Sequence, residues 1–308
     1  MLGLPEVGVR DSAKSHNCRV DVLCDWTEAR ALFASVRVSR SDVIDVLCEN
    51  HVYREQDFAA EFADQLWWEL RRRQRAGIKL FDVGKTGIEC LTPWQSNPGY
   101  SFCLLASLRE WYPKWAKRLN GSYQEQGELF ERLSEQSLAS RGWQPMRTGW
   151  SKTATQRLND IVDALCAHFE EPAIAGAVSR WTKPQAKDAG LDLACQYPFL
   201  DSRGGRPRIL VQCASGANWK DKLHTPSLRV WKKIIDFSND PQRGFCLPHA
   251  LLDDEFRRTS GSVDGLVLDR TRLIGLQADS ESDWMKSELM SDLTAWLTPR
   301  VASLPAQS

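Results

Sequence analysis

Apolar and polar positions alternate along this chain in ways that predict most of its elements. Phe58, Phe62, Leu66 and Leu70 recur at helical spacing, predicting a helix over 56–74 that ends in Arg71-Arg72-Arg73-Gln74-Arg75. Before it, Ser39 or Ser41 caps a short helix through Val43, Val46 and Leu47. The segment from Cys18 to Leu23 alternates and reads as extended. Short strands are predicted at 78–83 and 88–91, followed by a buried apolar helix from Tyr100. Beyond Asn120-Gly121, Leu129, Phe130, Leu133 and Leu138 form one face of a helix over 122–140, closed by Gly142. A strand at 143–147 and a helix over 153–169, with Leu158, Ile161, Val162 and Leu165 inward, come next. Two very apolar strands carry Asp192 and Gln212, with a Gly204-Gly205 turn between them. Thr225-Pro226 then opens a helix through Leu228, Trp231, Ile234 and Ile235, with Pro at the first helical position. Strands at 244–247 and 265–268 and a helix at 281–297 complete the chain.

This order predicts an α/β fold, a mixed sheet flanked by helices. Two regions are expected: a mainly helical accessory or regulatory region over 1–120, and a second domain over 121–308.

Composition narrows the setting. Nine cysteines, an odd number without Cys-x-x-Cys pairs, point to reduced thiols in a cytoplasmic protein. No apolar run is long enough to cross a membrane, and Met1 to Val7 lacks the pattern of a signal peptide. With 40 basic and 40 acidic residues, nucleic-acid contact has to come from a local patch. Among thirteen tryptophans, core and interface anchors are expected to dominate. Val83-Gly84-Lys85-Thr86 has the end of a phosphate loop without its first glycine, since Lys79 stands there. The five histidines show no zinc spacing, and no serine-hydrolase elbow occurs.

The candidate chemistry lies on the two apolar strands. A carboxylate on a buried strand is costly unless it is paired or holds a cation, so Asp192 and Gln212 suggest a divalent-metal site built on a sheet. Gly127-Glu-Leu-Phe-Glu131-Arg-Leu, Asp188-Ala-Gly-Leu-Asp192 and Leu210-Val-Gln212-Cys213, in this order, resemble the motifs of Mrr-type nucleases. These belong to the PD-(D/E)XK restriction endonuclease-like superfamily, and the resemblance covers roughly 124–250.

The resemblance implies a restriction endonuclease-like core and a metal-dependent DNA endonuclease, serving in restriction or anti-phage defence. Asp192 would be the main ligand of Mg²⁺ (or Mn²⁺), Gln212 and the Cys213 carbonyl would add oxygens, and Glu131 would complete the site. In the family a lysine follows two residues after the Gln; here that place is Ala214. Either Lys222 (the first choice) or Lys220 reaches back from the next loop, or the chain is an inactive nuclease-like DNA-binding or assembly subunit. Asn218, Trp219 and His224 are weaker candidates for substrate contact, His249 a further one, and the N-terminal region is a candidate surface for a partner protein.

Overall fold

In the computed structural model, residues 2–10, 16–119, 123–148, 158–181, 190–199, 201, 203–276 and 280–306 are described. The fold is mixed α/β, 52% helical, with a mixed sheet of five strands and an antiparallel sheet of three. The first elements are α1 (Val20–Phe33), β1 (Val38–Ser39), α2 (Arg40–Glu49), α3 (Gln56–Arg75), β2 (Phe81–Val83), β3 (Gly87–Cys90), α4 (Pro98–Trp111) and α5 (Pro113–Arg118). Then come α6 (Tyr123–Ala139), β4 (Gln144–Arg147), α7 (Leu158–Phe169), α8 (Ala177–Trp181), β5 (Leu193–Gln196) and β6 (Arg208–Cys213). The last are α9 (Leu228–Trp231), β7 (Gln242–Cys246), α10 (Asp253–Val263), β8 (Gly265–Leu268), α11 (Arg270–Ile274) and α12 (Ser287–Ala302).

The chain divides into two compact units. Unit 1 is Met1–Tyr123 with Pro248–Leu252 and Asp269–Ser308; unit 2 is Gln124–Leu247 with Asp253–Leu268. The first boundary lies close to the one expected at 120. The C-terminal forty residues, expected in the second domain, fall instead in unit 1.

Unit 1 is organised around buried charge. The Arg73 guanidinium lies 2.8 Å from Asp25 and 3.0 Å from Glu28, and its Nε donates to Glu69 at 3.2 Å. Arg270, on α11, donates to the same Asp25 and Glu28 carboxylates. Tyr100 donates to Glu28 at 2.9 Å and the Trp111 indole to Asp25 at 3.1 Å. The two guanidiniums hold Asp25 below the usual carboxylate range despite its burial.

This network corrects the expectation of an extended segment after Cys18. The segment enters α1, whose residues from Asp21 to Leu32 are all buried. Asp21 pairs with Arg19 beside it, while the acids that follow in α1, Asp25 and Glu28, have partners on α3 and α11, too far along the sequence to show in a local pattern. The basic end of α3 is largely consumed in the same way. Arg71 donates to the Gly84 carbonyl at 3.2 Å, Arg72 to Glu69 and the Leu251 carbonyl, and Arg73 to the acidic cluster.

In unit 2 the strand order is β4-β5-β6-β7-β8. β4, β5 and β6 pair antiparallel, whereas β6, β7 and β8 run parallel. Ala194 and Leu210 on one sheet face pack with Leu158, Ile161, Leu165 and Phe169 of α7 and with Trp231, Ile234 and Ile235. The helix expected from Pro226 is shorter than its apolar pattern suggests. It begins after Ser227 and ends at Trp231, because the next residues bond to another segment. Ile174 N–H donates to the Ile234 carbonyl at 2.8 Å, and Ile235 bridges Ala173. The expected final helix is likewise split, a 3₁₀ turn at Glu281–Asp283 preceding α12.

Removing one partner from a buried ion cluster leaves the others uncompensated, at a cost of about 3–5 kcal/mol. Arg73→Met is therefore expected to destabilise unit 1 on that scale in urea unfolding, whereas a loss below about 1 kcal/mol would show that the cluster contributes little.

Candidate metal site on the β5–β6 edge

Strand register brings the candidate residues together. Leu193 pairs with Val211, so Asp192 and Gln212 are the next cross-strand neighbours on one face. Asp192 N–H donates to Val211 at 3.0 Å and its carbonyl accepts from Thr148 N–H at 2.9 Å, so the ladder continues past the end of β5. Both side chains are buried. The Asp192 carboxylate accepts from the Cys213 amide at 2.7 Å and from the Gln212 side-chain amide. The same Gln212 nitrogen lies 3.3 Å from the Cys213 carbonyl.

Glu131, buried on α6, belongs to this group electrostatically. Burial pushes the Cys213 thiol well up, and its hydrogen bond with Cys246 and the negative charges of Asp192 and Glu131 push it further. Two carboxylates thus bear on one buried thiol. Asp188, in the same motif, lies outside the described residues.

Thr225 is the residue that sequence reasoning missed. Its hydroxyl sits 2.9 Å from Gln212 Oε1 and 2.7 Å from the Lys222 carbonyl. A hydroxyl has one proton and cannot donate to both. Turning the Gln212 amide over would let Nε2 donate to Thr225 and Thr225 donate to Lys222, at the loss of the Nε2 bonds to Asp192 and Cys213. Gln212 Oε1 would then face the Asp192 carboxylate and the Cys213 carbonyl, bringing three oxygens together. Oxygen atoms facing one another at hydrogen-bond distance repel unless a cation or proton lies between them. The donor set therefore fits a hard divalent cation. Gly190, at φ +72°, permits the close approach, because a Cβ there would stand 3.3 Å from Thr225 Cβ. The only sequence signal for Thr225 was its place before Pro226, which was read as a helix start.

The lysines are less convergent. Lys220 turns to Glu255, 2.8 Å away, and lies over Trp219. Lys222 meets the site through its carbonyl; among the described residues its ammonium makes no ion pair with Asp192 or Glu131. Ala214 is fully buried, its N–H bonded to the Cys246 carbonyl at 2.9 Å. Trp219, expected as a substrate contact, is instead 4% exposed and packs on Phe245 at 6.4 Å between ring centroids. Asn218 and His224 are exposed. A second missed contact is Gln126, whose amide holds the Ser215 carbonyl at 2.6 Å and so fixes the chain beyond β6.

Other candidates fall in unit 1. His249 is buried 3.5 Å from Glu110, and burial lowers its pKa to about 4. A cavity of about 150 Å³ is lined by Ile78, Tyr100, Glu281 and Trp284, and includes none of the candidate site residues. Glu281 accepts from the Gly99 and Tyr100 amides at the start of α4, and burial raises its pKa to about 7. Among the described residues, no group of three or more His, Cys, Asp and Glu is placed to hold a metal ion. The β5–β6 set differs in kind, since two of its oxygens come from an amide and a backbone carbonyl.

Compared with known proteins, the chain matches no family model, no curated protein and no solved structure.

His249 and Glu281 give opposite pH trends. Between about pH 6.5 and 4 the unfolded chain takes up the His249 proton and the folded chain resists it, so wild type should lose stability relative to His249→Gln as pH falls. Glu281 holds its proton longer when folded, so wild type should lose stability relative to Glu281→Gln as pH rises from about 4.5 through 7. Thermal melts across this range check both, and a parallel offset at all pH values would contradict them.

Proposed function

We propose that the protein is a metal-dependent endonuclease acting on DNA, with Asp192 at its centre. The observation that carries this reading is the convergence of Asp192, Gln212 and the Cys213 carbonyl; Glu131, buried on α6, would be a second carboxylate. In unit 2, β4, β5 and β6 are antiparallel, with α7 and α8 between β4 and β5, and β7 and β8 continue the sheet in parallel beyond β6. A defence role follows from the resemblance to restriction endonuclease-like nucleases.

Asp192, Gln212 and Cys213 would hold Mg²⁺ or Mn²⁺, with Glu131 completing the charge. Such an ion supplies Lewis-acid chemistry for phosphodiester hydrolysis. The chain's own residues do the rest. Thr225 fixes the Gln212 amide, the Cys213 N–H orients Asp192, and Gln126 holds the following turn. Lys222, half-buried on a flexible stem and joined to the site through its carbonyl, would supply the cation for a scissile phosphate. Nine free thiols and the lack, among the described residues, of any helix able to cross a membrane support a cytoplasmic setting.

A second reading has its own support. Lys220 is engaged by Glu255 and Ala214 fills the family's lysine position, which favours a nuclease-like DNA-binding or assembly subunit without catalysis. Unit 1 would then serve as a surface for a partner protein.

Cleavage of plasmid and linear DNA with Mg²⁺, Mn²⁺ or EDTA separates the two. The nuclease reading expects metal-dependent nicking that Asp192→Ala abolishes and Lys222→Ala lowers by about a hundredfold or more. Thr225→Val, which removes support from a ligand, should weaken metal dependence about 10–100-fold. Absence of cleavage by a wild type that still binds DNA would favour the second reading.

A further inference from the structure

The segment that follows the candidate site is strongly basic. From Lys220 to Lys233 it carries Lys220, Lys222, Arg229, Lys232 and Lys233, with His224, against Asp221 alone. In a chain of zero net charge this is the local patch that contact with a polyanion requires. Lys220 and Lys232 are engaged by Glu255 and Asp240, each at 2.8 Å. Lys222 and Arg229 form no ion pair among the described residues. The segment starts at the site itself, since Thr225 bonds both Gln212 and the Lys222 carbonyl.

A second element lies against it. Asp236 N–H donates to the Pro172 carbonyl at 2.9 Å and Ile174 N–H to Ile234 at 2.8 Å, which ties the lead-in to α8 to the end of the basic segment. Trp231, Ile234 and Ile235 are fully buried, while Arg229 and Lys232 are exposed. Beside them α8 presents exposed Arg180 and Trp181, the latter 45% exposed. Lys233 Nζ sits 3.3 Å from the centroid of the Trp181 ring. A cation thus anchors the indole, yet much of the ring faces solvent.

We propose that α8 and the 222–233 segment form a binding surface for single-stranded nucleic acid. Trp181 stacks on an unpaired base, and Arg180, Lys222 and Arg229 meet the phosphates. The combination of a basic groove with an open aromatic face is what sequence-tolerant single-strand binding uses. In a duplex the bases are already stacked on one another, so the indole gains nothing there and the cations alone contribute. The proposal rests on the nucleic-acid reading of unit 2 and adds the form of substrate that it holds.

The test is fluorescence anisotropy of a labelled oligo-dT and a labelled duplex with the full chain in EDTA, across a salt series. EDTA removes cleavage, so failure of the catalytic reading leaves this result untouched. Oligo-dT is expected to bind more tightly than duplex. Trp181→Ala should weaken oligo-dT roughly five- to a hundredfold and leave duplex nearly unchanged. Arg229→Gln, whose exposed site tolerates the change, should weaken both and lower the salt slope for oligo-dT by about 0.7. Unchanged oligo-dT affinity in both variants would overturn the proposal. So would polyglutamate competing as well as oligo-dT for wild type, which would assign the surface to an acidic protein.

Discussion

Asp192 imposes the central constraint. A carboxylate buried at the end of an apolar strand must have its charge compensated, and strand register decides what is available. β5 and β6 place Gln212 directly across from it and the Cys213 amide beside it. The Asp192 carboxylate accepts from the Cys213 and Gln212 amides, and the single proton of Thr225 leaves the Gln212 amide open to reversal. Turning one amide converts a hydrogen-bonded cluster into three oxygens facing a common point. The same geometry thus accounts for the folded arrangement and underlies the proposal that a hard cation binds there.

Unit 1 solves the burial of charge differently. Asp25, Glu28 and Glu69 face Arg73 and Arg270, with Tyr100 and Trp111 contributing neutral donors. Each charged group here is held by more than one partner, so the cluster is suited to fixing one packing of α1, α3, α4 and α11. The contrast between the units is chemical: the unit 1 carboxylates face guanidiniums, whereas Asp192 accepts from two amides.

Much of this was legible in the sequence, for identifiable reasons. Periodicity found α3 because its apolar face is regular, and the alternation of turns and short apolar runs found β7 and β8. Asp192 and Gln212 stood out because polar residues in apolar strands are informative. Periodicity failed for α1, whose buried Asp25 and Glu28 are met by Arg73 and Arg270. It overextended α9, because Ile234 and Ile235 are apolar for the sake of packing and not of helix. Thr225 was invisible as a site residue, since its role depends on the chain folding back over Gln212. Trp219 misled for the opposite reason: an aromatic next to a candidate site is as readily a core residue, and here it is one.

Calorimetric titration of the purified protein with Mn²⁺, beside Asp192→Asn, tests the central claim most directly. The account predicts saturable uptake by wild type, with a heat that disappears in the variant while its fold is retained by circular dichroism. Equal uptake by both proteins, or none by wild type, would contradict a metal site centred on Asp192.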